Sequence, residues 1–211
     1  MSVRFDITQR KTDENTTHKF YVDGYQRQAN NTLRRILLDS FPTISIDMPL
    51  RHSVKSFSQA LKEQYIILCT LRSPKDSINS FCGYKKIDPL NKLEIIHSLE
   101  MYCYLHEYLL ENKNYIKFIH FDQIIYNPGK LTQFIKEHFS IQDCNFKEYH
   151  ELKLTPFFTH FDEDGEDGHN MTSNLATEEK LGWITKNDEY KEANNLYDKL
   201  TEQLIKIGEI R

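Results

Sequence analysis

The chain has 211 residues, with 27 Lys+Arg set against 31 Asp+Glu and a formal net charge of -4. That length suits one α/β domain with a core of its own and leaves too little for a comfortable second one, so 1–211 is taken as a single domain. The charge balance gives no general attraction to nucleic acid or to an anionic membrane, so an anionic ligand has to be met by a local site.

The opening run MSVRFDITQRKTDENTT has no apolar h-region, and the longest aliphatic-rich run is the short YIILC at 65–69. These features predict neither a signal peptide nor a membrane anchor. Cys69, Cys82, Cys103 and Cys144 are scattered without a C-x-x-C pair. The expectation is a cytoplasmic protein with reduced, packed thiols.

In chain order, residues 19–22 (KFYV) read as a strand that stops at Asp23-Gly24, and 30–40 carries Leu33, Ile36, Leu37 and Leu38 as a helical stripe with Asn30 or Asn31 as its N-cap. Residues 44–48 read as a second strand, about 54–64 as a helix, and 65–71 as a buried strand. Helices are predicted over 74–85 and 89–110, a strand over 115–120 and a helix over 128–139. The alternation predicts a three-layer α/β/α sandwich around a central parallel sheet, similar to the P-loop NTPases. Beyond Ile141 the pattern weakens. The acidic, glycine-bearing run at 161–168 lacks EF-hand spacing and reads as a solvated loop, and 190–210 reads as a closing amphipathic helix.

The stretch VDGYQRQANNTLRR at 22–35 stands where strand, glycine turn and helix meet, the context of a phosphate-binding loop. Measured against G-x-x-x-x-G-K-[ST] from Gly24, the second glycine is Ala29 and the lysine is Asn30. Such a loop offers backbone N–H groups and a helix dipole to an anion, with Arg27 as a forked cation and Gln28, Asn30, Asn31 and Thr32 as neutral donors. A compact diester or sulfate fits it better than a triphosphate with Mg²⁺. The second stretch, LRSPKDSINSF at 71–81, again joins a strand end to a helix start. Pro74 suits the first helical turn, and Arg72 is delivered to the same sheet edge as Arg27.

Together these stretches resemble the sulfotransferases that use 3′-phosphoadenosine 5′-phosphosulfate (PAPS). GYQRQANNTL at 24–33 is similar to the family's phosphosulfate loop G-Y-P-[KR]-S-G-[TN]-T, and RSPKDSINS at 72–80 to its 3′-phosphate motif R-[ND]-P-x-D-x-x-x-S. FIHFDQIIYNP at 118–128 is similar to the element Y-E-D-L-x-x-x-P. The resemblance spans about residues 19–141; 142–211 would supply a loop and the closing helix. Gln26, Gln28 and Ala29 replace the family's proline, serine and glycine. A late R-K-G contact is missing, with 168–174 as its candidate replacement.

The resemblance implies a PAPS-dependent transferase acting on a hydroxyl-bearing acceptor, a carbohydrate or other small molecule, without a metal. Cofactor contacts would come from Gly24, Tyr25, Gln26, Arg27, Gln28, Ala29, Asn30, Asn31 and Thr32 on the 5′ side. Arg72 and Ser80 would hold the 3′-phosphate. Arg27 would also stabilise the bridging oxygen as it departs. His52, in MPLRHS after the second strand, is the expected general base, as an imidazole titrating near neutrality suits that task. His18, His120 and Asp47 are the fallback bases, His97 and His106 read as packing or surface residues, and Arg51 as a contact for an anionic acceptor or for solvent. Two other readings stand beside this one: a PAPS-binding module without chemistry, and a degenerate P-loop kinase.

Overall fold

The computed structural model describes residues 18–46, 51–85, 91–145 and 182–206. Among them are four strands, β1 (His18–Gly24), β2 (Ile44–Ser45), β3 (Ile66–Leu71) and β4 (Ile116–His120). Seven α-helices surround them: α1 (Asn30–Ser40), α2 (Val54–Lys62), α3 (Pro74–Lys85), α4 (Lys92–Glu111), α5 (Phe121–Tyr126), α6 (Pro128–His138) and α7 (Asp188–Thr201). The sheet is parallel throughout, in the order β2-β1-β3-β4.

Strand alternation explains the layering. On β1 the side chain of Tyr21 joins one core while Phe20 and Val22 join the other. On β3, Ile67, Cys69 and Leu71 follow Tyr21, and Leu68 faces the opposite way. The first face packs against α2, α3, α4 and α7, and the second against α1, α5 and α6. Both faces being covered, the strands read as near-continuous apolar runs, as buried parallel strands do. The stripe Leu33, Ile36 and Leu37 of α1 is buried, and each such side chain contributes about 1.5–3 kcal/mol of transfer free energy.

The structure departs from or adds to the sequence expectations at three places. Between β4 and the helix from 128, where the sequence pattern predicts no element, Phe121–Tyr126 forms α5, capped by His120 and Gln123 in a reciprocal box. The closing helix ends at Thr201 rather than running to 210. Leu204 instead bridges Phe118 of β4, and Ile205 N–H donates to the Phe118 carbonyl at 2.9 Å, so the apolar residues there extend the sheet edge. Third, neither Asn30 nor Asn31 caps α1; the N-cap is Ala29, and Asn30 is already helical. Asp47 and the runs 161–168 and 168–174 lie outside the described residues. Among the described residues no helix is long and apolar enough to cross a membrane.

Candidate functional site

The connection leaving β1 runs through α1 to β2 on one side, while that leaving β3 runs through α3 and α4 to β4 on the other. The carboxyl ends of β1 and β3 therefore flank a topological switch point, where open α/β sheets form a crevice. Gly24 pairs with Thr70 and Leu71 with His120, so the three strand ends finish side by side. The two stretches singled out in the sequence emerge here.

Residues 25–29 turn the chain from β1 into α1. Gly24 is required by space, since a Cβ there would meet the Thr70 carbonyl at 2.6 Å and the Thr70 hydroxyl closer still. Tyr25 N–H donates to Gln28 Oε1 at 3.1 Å, and Asn30 Nδ2 donates to the Tyr25 carbonyl at 3.0 Å. The Thr70 hydroxyl donates to Asn30 Oδ1. Gln28 and Asn30 are buried and brace the turn from within, and Tyr25 sends its hydroxyl to the Ser98 carbonyl at 2.9 Å. Of the expected cofactor contacts, these three spend their side chains within the turn and on its neighbours. Gln26, Arg27, Asn31 and Thr32 keep exposed or half-buried side chains. The first intrahelical bond of α1 is Leu33 N–H to the Ala29 carbonyl at 3.0 Å, and no side chain caps this end. The N–H groups of Asn30, Asn31 and Thr32 thus have no intrahelical acceptor, and the positive end of the helix dipole points into the crevice.

The second strand end brings its arginine to the same place. Arg72 Nη1 donates to the Arg27 carbonyl at 3.1 Å, and Arg27 Nε donates to Ser80 Oγ at 3.1 Å. The structure thus unites Arg27, Arg72 and Ser80, although Ser80 lies two helical turns from Arg72 in sequence. Each guanidinium lies over a ring, Arg27 over Tyr84 at 4.9 Å and Arg72 over Phe121 at 4.2 Å. Burial pulls both guanidiniums below the usual arginine range, and the charge of Arg27 adds to the effect on Arg72. Asp76 and Asp122 act on Arg72 in the opposite sense, and the two arginines stand beside an uncapped helix start, an arrangement with the donors and positive charge that suit an anion. The neighbouring Asp76 serves the fold: Ser73 donates to its carboxylate at 2.7 Å and accepts from its N–H, capping α3.

His52 lies against the start of the loop. Its Nδ1 is 2.8 Å from the Gly24 carbonyl and 2.8 Å from Asp23 Oδ1. Asp23 is fully buried at the end of β1. Burial, the largest influence on each, opposes both charges, but their hydrogen bond and mutual attraction outweigh it. Asp23 is held below, and His52 above, the ordinary value. Asp23 escaped the sequence reading, in which Asp-Gly was only a strand terminator; the available signal was a carboxylate directly before the loop glycine in a buried strand.

The fallback bases fare differently. His18 opens β1, six residue steps of about 3.3 Å, or about 20 Å, from Gly24 and at the opposite sheet edge. His120 is on the right edge, but its Nε2 is 2.8 Å from the Tyr197 hydroxyl and its Nδ1 accepts from Asp122 N–H at 3.2 Å. His97 is exposed, and His106 is wholly buried, stacked on Tyr102 and pulled down to about 4 by burial. Arg51 is exposed and uses its backbone N–H, at 3.0 Å, on Asp23. The described residues hold no group of three or more His, Cys, Asp or Glu placed to share a metal ion. Comparison with protein-family models, with curated proteins and with solved structures gives no match to this chain.

Proposed function

We propose that this chain is a sulfotransferase that moves a sulfuryl group from PAPS to a hydroxyl of a carbohydrate or other small acceptor. One observation carries the reading. Arg27, Arg72 and Ser80, drawn from two separate strand-to-helix connections, are linked by hydrogen bonds of 3.1 Å at the switch point, beside the uncapped start of α1. That donor set suits a ligand with two anionic groups and contains no Walker lysine.

Arg72 and Ser80 hold the 3′-phosphate, and the N–H groups at the start of α1 hold the 5′ side. His52 Nε2 takes the acceptor's proton as the acceptor oxygen bonds to sulfur and the bond from sulfur to the 5′-phosphate oxygen breaks. Arg27 meets the charge that grows on that departing oxygen. Positioning and electrostatic stabilisation carry most of the rate in such transfers.

The test is incubation with radiosulfur-labelled PAPS and a panel of hydroxyl acceptors. Transfer of label that Arg27→Ala abolishes supports the reading. Binding of PAPS without transfer to any acceptor reduces the chain to a binding module, and ATP binding that needs Mg²⁺ favours a kinase-like site.

A further inference from the structure

We infer that Asp23 is the positioning residue of this site: it holds His52 as the Nδ1–H tautomer and leaves Nε2 as the nitrogen that accepts a proton. The inference rests on the reading of His52 as the base, and it adds a residue and a tautomer that the resemblance does not supply.

The hydrogen bonds around Asp23 decide its state. Oδ1 accepts from Gly24 N–H at 2.9 Å and lies 2.8 Å from His52 Nδ1. Oδ2 accepts from the Tyr21 hydroxyl at 2.6 Å, from Arg51 N–H at 3.0 Å and from His52 N–H at 2.9 Å. Three of these partners are backbone N–H groups, which can only donate. A carboxylate surrounded in this way is ionised and accepts only. The other neighbour of Nδ1, the Gly24 carbonyl, also only accepts. Nδ1 therefore carries a proton in either charge state of the ring, and the neutral ring has its lone pair on Nε2. Nε2 makes no hydrogen bond among the described residues, and a quarter of the side chain is open to solvent.

Asp23 holds the backbone as well as the ring. His52 adopts a φ of 49°, in the left-handed region, and the adjacent N–H groups of Arg51 and His52 both end on the same oxygen. One carboxylate thus sets where the imidazole stands and which nitrogen it presents. The charged and titratable groups around the pair are Tyr21 on β1, Cys69 on β3 and Arg34 on α1. The positive field of Arg34 favours the ionised Asp23. In Asp23→Asn only one oxygen remains to accept, so the ring or the two backbone N–H groups lose their partner.

The experiment is long-range ¹H–¹⁵N correlation of the full chain with labelled histidine, the His52 signal being assigned by its loss in His52→Gln. The expected result is the Nδ1–H tautomer in the wild-type protein, with a titration midpoint above 6.5. In Asp23→Asn the midpoint should fall and the Nε2–H form should appear. Binding of the product 3′,5′-bisphosphate should persist, while sulfuryl transfer drops by about 10²-fold or more. An Nε2–H tautomer in the wild type, or an unchanged tautomer and midpoint in Asp23→Asn, overturns the assignment. If Asp23→Asn does not fold, the wild-type spectrum decides alone. A wild-type protein with the expected tautomer that transfers no sulfuryl group overturns the sulfotransferase reading and leaves the Asp23–His52 assignment standing.

Discussion

Ala29 occupies a backbone conformation that glycine ordinarily supplies, with φ 64° and ψ 23°. Left-handed backbone costs an L-residue about 1–2 kcal/mol, and the extra unfolded freedom of glycine returns part of that. Ala29→Gly should therefore stabilise the protein by about 0.5–1 kcal/mol in urea unfolding; destabilisation would mean that the turn is not formed as described. Gly24→Ala should do the reverse, costing about 1–3 kcal/mol, because its methyl group would meet the backbone of β3. The sequence showed the missing second glycine but not that the loop keeps its geometry without it, since the bracing groups, Gln28, Thr70 and Ser77, come from three elements. His52 gives a signed pH effect. Its raised value means that the charged pair with Asp23 stabilises the fold fully below 6.5, and that this contribution is lost as pH rises through the folded-state value. Asp23 works in the opposite sense: its contribution is present above 3.8 and is lost as pH falls through its lower folded value. Between those limits His52→Gln should cost the most stability, and the cost should shrink in thermal melts above neutrality. If His52 is the base of the proposed transfer it has to be neutral, so the acid limb of turnover should lie above 6.5.

Among the elements, α1 and α3 begin and end where composition and periodicity place them, at 30–40 and 74–85. Their connections carry the candidate site, and there the residue types are legible in the chain but their partners are not. Nothing in the spacing announces that Ser80 meets Arg27, because that contact spans two connections. The short helix α5 follows β4 with no breaker between, and Leu204 and Ile205 continue an apolar period that belongs to the sheet edge, not to α7. The coupling of the two connections has a measurable consequence. Arg72→Ala should weaken binding of the 3′,5′-bisphosphate by about 1.5–3 kcal/mol, as for a lost charged hydrogen bond. Under the proposed transfer, Arg27→Ala should cost more in turnover than in affinity, because the charge it would meet develops mainly in the transition state. Since Arg72 also fixes the Arg27 carbonyl, the double variant should lose less than the sum of the two in a binding cycle. Strict additivity would contradict a shared site.

At the scale of the molecule, the strand order decides that the two connections meet at the same switch point. The β-α alternation predicts a parallel sheet, but nothing local in the chain says that β1 lies between β2 and β3, and only that order sets Gly24 beside Thr70 and both arginines at one switch point. A ligand spanning the two connections should bind the folded state alone and raise the melting temperature, by the equivalent of about 2.7 kcal/mol at one hundred times its dissociation constant. The most direct measurement is calorimetric titration of the protein with 3′-phosphoadenosine 5′-phosphate, in parallel with ADP and with ATP plus Mg²⁺. The expected result is binding of the bisphosphate without a divalent ion, tighter than either comparison nucleotide and weakened in Arg72→Ala. ATP binding that needs Mg²⁺, with no binding of the bisphosphate, would contradict the account.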